Sequence, residues 1–78
     1  MLSENKGAAE TRVLFQALVV KYPSRAALAE KCCYSLSYLS YLSCGRRTAS
    51  AGFCEWVKST HPDLRHLCLA VQLRKVMD

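Results

Sequence analysis

Apolar residues recur at helical spacing over residues 8–22, with polar residues at the other positions. The pattern predicts a first helix with these inward-facing side chains: Val13, Leu14, Ala17, Leu18 and Val20. Pro23 should end this helix, because the residue before a proline is driven out of the α region. Residues 1–7 show no such pattern and are mostly polar. We therefore expect a flexible N-terminal arm of residues 1–7, followed by one domain of residues 8–78.

The segment of residues 24–47, SRAALAEKCCYSLSYLSYLSCGRR, has the pattern of two short helices joined by a tight turn. Ser24 and Ser35 each precede a helical stretch, where a hydroxyl can accept a hydrogen bond from a backbone N–H and cap the helix. Gly45 follows the second stretch and suits the left-handed conformation that ends many helices. β-branched residues, which are typical of strands, are absent from the segment, so helix is favoured over strand.

Two further helices are predicted after this segment, which makes the chain an all-α domain of five helices. Thr48 or Ser50 should begin the fourth helix, and Pro62 should open the fifth, since its fixed φ suits a first helical position. The fifth helix carries a second apolar stripe beside its inward one, formed by Leu69, Leu73 and Val76. We expect this stripe to pack against a second copy of the chain, although an end helix can also wrap its own core more completely.

The net charge of +5 is concentrated in one part of the chain. Between residues 21 and 47, Glu30 is the single acidic residue against five basic ones, namely Lys21, Arg25, Lys31, Arg46 and Arg47. Such a cluster attracts polyanions through the release of counterions. Nucleic acid is a better candidate than a membrane, because the sequence has neither a strongly basic amphipathic helix nor an apolar run long enough to span a bilayer.

Five cysteines are present, an odd number with no CxxC pair, and the N-terminus lacks the apolar core of a secretory signal. We therefore expect reduced thiols in a cytoplasm, mostly as small buried hydrophobic residues. Cys54, His61, His66 and Cys68 could in principle bind zinc, but their spacing matches no zinc-finger pattern. No metal and no other cofactor is expected.

The stretch ALAEKCCYSLSYLSYLSCGRR resembles the helix-turn-helix of the phage lambda repressor and Cro family. Leu28 and Ala29 match the packed Leu-Ala pair of that family. Ser35 matches the cap of its second helix, Leu39 the inward residue four positions later, and Gly45–Arg47 the closing glycine with basic residues. The resemblance implies a compact five-helix, lambda-repressor-like domain with the helix-turn-helix in helices two and three.

The chain departs from the family at one position of the turn. Cys33 stands where the family usually has glycine. A left-handed conformation at a residue with a Cβ costs on the order of 1 kcal/mol, which a folded domain can tolerate.

Helical geometry separately indicates which face of the third helix is exposed. At about 100° per residue, Leu39 and Leu42 point together toward the core. Four residues then point outward, namely Ser37, Ser40, Tyr41 and Cys44, and Leu36 lies at the edge. By the resemblance, the residues that contact bases are Leu36, Ser37, Tyr38, Ser40 and Tyr41.

This face has no Asn, Gln, Arg or Lys to make bidentate pairs with bases. Either specificity depends on apolar contacts, water and DNA shape, or the face binds something else. The tyrosines can also be half-buried packing residues rather than readers. Leu36 can equally pack on helix two.

Phosphate contacts follow from the resemblance as well. The start of helix two and the loop after helix three would flank the groove, which assigns the backbone contacts to Ser24, Arg25, Arg46, Arg47 and Thr48. Arg65, Arg74 and Lys75 lie beyond this surface and are expected to be solvated.

Together these features predict a sequence-specific DNA-binding transcriptional repressor from a bacterial phage, plasmid or other mobile element. It would bind double-stranded DNA at a palindromic operator as a homodimer, in the cytoplasm at the nucleoid. The alternative is an antitoxin or inhibitor that uses the same fold to bind a protein. No enzyme is expected, because the serines have no His and Asp partners at interpretable spacing, and no small-molecule substrate is evident.

Overall fold

The computed structural model describes residues 7–76, and the side chains of residues 7–75. This part of the chain is all-α, as predicted, and contains no strand. It has five α-helices, namely α1 (Ala8–Val19), α2 (Arg25–Cys32), α3 (Leu36–Cys44), α4 (Ala51–Thr60) and α5 (Arg65–Val76). Of the predicted N-terminal arm, residues 1–6 lie outside the described residues. Gly7 is buried and stands at the N-cap of α1 with φ 81°.

The first helix differs from the prediction in its end and in its inward face. It ends at Val19, and residues 20–22 form a turn that leads to Pro23. Val13 and Val20 are 54% and 79% exposed, so their predicted inward orientation is wrong. The buried residues of α1 include Thr11 together with Leu14, Phe15 and Leu18. Positions 11, 14, 15 and 18 share one helical face, whereas positions 13 and 20 lie on the opposite one.

Serine side chains cap three of the helices at their N-termini. The hydroxyl oxygens of Ser24, Ser35 and Ser50 accept from backbone N–H groups three residues later, at 3.1, 3.0 and 3.2 Å. The predicted caps Ser24 and Ser35 are therefore confirmed, and α4 begins after Ser50 rather than Thr48. Each cap satisfies one of the backbone donors that a helix N-terminus leaves without a partner inside the helix.

The core takes buried residues from all five helices, and Phe53 on α4 belongs to an aromatic cluster within it. The ring centroids of Tyr34, Tyr38 and Trp56 lie 5.4, 5.9 and 6.2 Å from that of Phe53. Leu28, Leu39 and Leu42 are fully buried, as predicted. Aromatic rings at these separations add packing energy beyond the area that they bury, which fixes α3 against α4.

The five cysteines divide between the core and the surface. Cys32, Cys54 and Cys68 are buried, whereas Cys33 and Cys44 are exposed, so the prediction of small buried hydrophobic residues is right for three of them. Burial raises the pKa of the Cys68 thiol to about 11 and also raises that of Cys54. All five are free thiols.

The start of the last helix is held to the loop between α1 and α2. Pro62 opens a short 3₁₀ turn, Pro62–Leu64, and α5 follows at Arg65. Lys21 Nζ lies 2.9 Å from Asp63 Oδ2, and this hydrogen-bonded pair lowers the pKa of the Asp63 carboxyl. The Tyr22 hydroxyl and His61 Nε2 are hydrogen bonded at 2.7 Å. These contacts fasten the α1–α2 loop to the junction between α4 and α5.

Candidate nucleic-acid interface

The connection between α2 and α3 is short and its conformation is specific. It consists of residues 33–35, and Cys33 is the one non-glycine residue with positive φ in the part of the chain that the structure describes. Its φ of 63° is left-handed, the conformation for which the resemblance calls at this position. The N–H of Cys33 donates to the carbonyl of Ala29 at 2.9 Å and so completes the last turn of α2. The chain can therefore leave α2 and begin α3 within three residues.

α3 presents a small, uncharged face to solvent. Leu39 and Leu42 are buried, while Ser37 and Cys44 are exposed, in agreement with the orientation deduced from helical geometry. Leu36 is 50% exposed and Tyr41 is 39% exposed, so the face also carries apolar area. Ser40 is half-buried at its edge. Four of the residues predicted to contact bases therefore lie on one surface, which we call the α3 face: Leu36, Ser37, Ser40 and Tyr41.

The fifth predicted base contact, Tyr38, is packed against the core. Its ring stacks on that of Tyr34, with the centroids 4.9 Å apart, and its edge meets Phe53. Its hydroxyl oxygen accepts a hydrogen bond from the backbone N–H of Ser50 at 3.0 Å. Tyr38 thus joins α3 to the start of α4, which corresponds to the packing alternative that the sequence left open.

Arg25 lies beside the α3 face and has contacts to α1 and α3. Its guanidinium carbon is 5.6 Å from the ring centroid of Phe15 on α1. One of its nitrogens, Nη1, donates to Ser40 Oγ in a long hydrogen bond of 3.5 Å. Arg25 is exposed, and as the first residue of α2 it brings positive charge to the border between that helix and the α3 face. Ser24, predicted to contact phosphate, uses its hydroxyl to cap α2.

Beyond α3, the loop with Arg46 and Arg47 folds back on the helix that it leaves. Gly45 has φ 84°, and the backbone N–H groups of Arg46 and Arg47 both donate to the carbonyl oxygen of Tyr41, at 2.9 and 3.3 Å. Both arginines are exposed. The guanidinium carbon of Arg47 lies 5.9 Å from the ring centroid of Tyr41. The loop therefore brings positive charge to the C-terminal end of the α3 face.

Thr48, the remaining predicted phosphate contact, is half-buried. Its methyl lies against Gly7, where an added Cβ would approach Thr48 Cγ2 to 3.0 Å. Thr48 thus packs beside the N-terminus of α1. Its role as a phosphate contact stays a prediction.

Two residues that sequence reasoning missed support the loop. Arg12 on α1 extends its guanidinium to Gly45, so that a Cβ at position 45 would collide with it. Lys75 Nζ donates to the carbonyl oxygen of Ala49 at 3.2 Å, so Lys75 is not merely solvated as expected. Neither contact has a local sequence signal, because each joins residues more than 25 positions apart. The candidate interface is therefore an uncharged helix face with Arg25 at one side and Arg46 and Arg47 at the other.

Within residues 7–76, no group of three or more His, Cys, Asp or Glu side chains is placed to hold a metal ion. No helix in that range has the length and apolar character needed to cross a membrane.

No protein-family model matches the chain, and neither a curated protein nor a solved structure does. The resemblance to the lambda repressor and Cro family therefore rests on the residues of this chain alone.

Proposed function

We propose that this chain is a sequence-specific DNA-binding transcriptional repressor with a lambda-repressor-like fold, in which α2 and α3 form a helix-turn-helix. The observation that carries the proposal is the arrangement around α3. A short capped helix presents an exposed face, and exposed arginines flank that face on both sides. A recognition helix needs this arrangement, because the helix enters the major groove while cations beside it meet the phosphates.

In this proposal, the residues of the interface divide by role. Leu36, Ser37 and Tyr41 approach base edges, where a serine hydroxyl can bond to several bases and the carbon atoms of leucine or tyrosine can contact a thymine methyl. Arg25 and Arg46 bind the DNA backbone on either side, Ser24 and Thr48 add polar contacts there, and Ser40 orients Arg25. Tyr38 positions α3 from the side opposite the DNA, through its hydrogen bond with the backbone N–H of Ser50.

A homodimer completes the proposal. Leu69 and Leu73 on α5 are exposed apolar residues one helical turn apart, and Val76 has its side chain outside the described residues. The part of the chain that the structure describes extends over 35 × 24 × 18 Å, a size at which two copies packed side by side can place their α3 helices about one DNA turn, ~34 Å, apart. This spacing suits a palindromic operator, at which the dimer would exclude RNA polymerase in the cytoplasm of a bacterium, at the nucleoid. The gene would belong to a phage, plasmid or other mobile element.

Selection of binding sites from random double-stranded DNA at a stated salt concentration tests the proposal directly. The expected result is a palindromic consensus with half-site centres about 10 base pairs apart, or a multiple of one turn. A double substitution, Ser37→Ala with Tyr41→Ala, should change the selected sequence. Recovery of no consensus, together with equal and weak binding to all DNA, would contradict sequence-specific recognition.

A second function has one specific observation in its favour. The α3 face is uncharged, and its two large residues, Leu36 and Tyr41, expose apolar area that a protein partner can cover. An antitoxin or inhibitor would use this face on a protein and would tolerate the loss of Arg25 and Arg46. Binding selection separates the two, because a module that binds only protein yields no DNA consensus.

A further inference from the structure

The sequence of α3, LSYLSYLSC, contains no side chain that can make two hydrogen bonds to one base edge. Such bidentate pairs supply much of the discrimination between bases in the major groove. The structure brings a side chain with this capacity to the α3 face from outside the helix. It is that of Arg47, which follows α3 by three residues.

The fold-back of the chain after α3 explains how Arg47 reaches this position. Gly45 takes a left-handed conformation, and the N–H groups of Arg46 and Arg47 share the carbonyl oxygen of Tyr41 as their acceptor. The chain thereby leaves α3 through a capped turn, and the guanidinium carbon of Arg47 lies 5.9 Å from the ring centroid of Tyr41. A guanidinium over an aromatic ring is attracted to the ring and keeps the N–H groups at its edge available to donate.

Arg47 also reaches residues at the opposite end of α3. It lines an open concavity of about 250 Å³ with Ser35, Ser37, Tyr38 and Tyr41, which belong to the cap and to the first two turns of the helix. Arg46 lines a different concavity with Tyr41 and Arg47, at the C-terminal end of α3. Arg47 therefore borders Ser37 as well as Tyr41.

We propose that Arg47 is a base-reading residue that recognises guanine from the major groove. Its guanidinium, held over Tyr41, donates two hydrogen bonds to the O6 and N7 acceptors of one guanine, beside the base pair that Ser37 meets. This inference rests on the proposed function and deepens it, because it predicts a G·C pair in each half-site. It also changes the role of Arg47, which the sequence analysis assigned to a DNA phosphate contact and which the inference assigns to a base contact.

The geometry favours a base over a phosphate as the partner of Arg47. A phosphate and a guanine can each accept two parallel hydrogen bonds from one guanidinium, so the position of Arg47 is what distinguishes them. Arg47 borders Ser37 and Tyr41, which belong to the α3 face. The concavity that these residues share leaves room for the O6 and N7 edge of a guanine.

The test uses base analogues in the operator that is selected with the full-length protein. At the guanine assigned to Arg47, 7-deazaguanine removes the N7 acceptor, whereas hypoxanthine keeps O6 and N7 and loses only the minor-groove amino group. The wild type should bind the 7-deazaguanine site about tenfold or more weakly and the hypoxanthine site as well as the parent. Arg47→Ala should bind the parent and 7-deazaguanine sites equally, while Arg46→Ala should keep the full discrimination.

The outcomes separate this inference from the function on which it rests. If Arg47→Ala and Arg46→Ala both weaken binding to every site equally and both still discriminate against 7-deazaguanine, Arg47 is a backbone contact and the inference fails alone. A wild type that binds no DNA in a sequence-specific way overturns the proposed function as well. Circular dichroism melts check the fold of both variants, and unchanged melting is expected because both side chains are exposed.

Discussion

The hydroxyl oxygen of Thr11 on α1 accepts a hydrogen bond from the backbone N–H of Ala49 at 3.1 Å, and both residues are buried. On the other side of the same residue, Lys75 Nζ on α5 donates to the Ala49 carbonyl oxygen. Both backbone groups of Ala49 therefore have side-chain partners, from the first and the last helix. The loop that carries Arg46 and Arg47 is thus attached to the rest of the domain just before α4 begins.

Thr11→Val should destabilise the domain by about 1–3 kcal/mol, because valine has nearly the same shape but leaves the buried N–H of Ala49 without an acceptor. Thr60→Val is the matched control, since Thr60 is exposed near the end of α4 and its change should stay within about 0.5 kcal/mol. Urea denaturation followed by circular dichroism measures both. Equal stability of the two variants would mean that the Thr11 bond contributes nothing measurable.

Cys33→Gly should stabilise the domain by up to about 1 kcal/mol, because glycine relieves the cost of a Cβ at φ 63°. The greater flexibility of glycine in the unfolded chain offsets part of this gain. Cys44→Gly makes the same change at another exposed cysteine, the last residue of α3, and should instead cost about 0.3 kcal/mol, because glycine is a poorer helix former than cysteine. Thermal melts of the two variants should shift in opposite directions, and shifts of the same sign would contradict the left-handed turn.

Helical periodicity correctly predicted which residues are buried on α3, but not on α1. It placed Leu39 and Leu42 in the core and Ser37 and Tyr41 at the surface, because α3 has one clear apolar stripe. On α1, apolar residues occupy both faces, and the sequence alone could not show that Val13 and Val20 are the exposed ones.

The missed features are contacts between distant residues. From the sequence, Thr11 is a polar residue within an apolar pattern, and nothing predicts that it is buried. Its burial depends on a hydrogen bond from the backbone N–H of Ala49, which is distant in sequence. The position of Arg47 over Tyr41 depends on the fold-back of the loop, which no helical pattern encodes. The basic charge of the interface could be predicted from sequence, but the different positions of its two loop arginines could not.

Arg46→Ala should weaken binding to all DNA sequences alike and make the slope of log K against log salt concentration less negative by about 0.9, the value for one phosphate contact. Arg65→Ala removes the same charge from the start of α5, where Arg65 lines a surface concavity with Glu55, Lys58 and Pro62, and should leave the slope unchanged. Fluorescence anisotropy titrations at several salt concentrations measure the slopes. If both variants change the slope equally, the net charge of the protein, and not a phosphate contact of Arg46, is responsible for the salt dependence.

Replacing Leu69 and Leu73 together by serine should weaken self-association at least about tenfold, since a buried leucine contributes roughly 1.5–3 kcal/mol. The control is the double replacement by serine of Val13 on α1 and Val20 just after it, which removes exposed apolar area from a surface that we do not place at the interface. Sedimentation equilibrium gives the dissociation constants. A larger effect from the valine pair would assign the dimer contact to α1.

Native protein should react with a thiol reagent at two of its five cysteines, Cys33 and Cys44, which are the exposed ones. The buried three should stay unmodified near pH 8, because they are inaccessible and because burial raises their pKa values and so keeps the thiols protonated. Intact-mass measurement should show two added groups on native protein and five after denaturation. Rapid modification of Cys54 or Cys68 in native protein would mean that the α4–α5 packing opens readily.

Gly45 is subject to two independent restrictions, its left-handed backbone and the guanidinium of Arg12 that occupies the space of a side chain. Any other residue would strain the turn and also displace Arg12 from the end of α3. In a library with every amino acid at this position, variants selected for binding should therefore be enriched in glycine, because the end of the Arg12 side chain can move aside but the left-handed backbone still costs a residue with a Cβ about 1 kcal/mol. The sequence requirement at this position thus comes from the backbone and from Arg12, and not from any contact that residue 45 makes with a ligand.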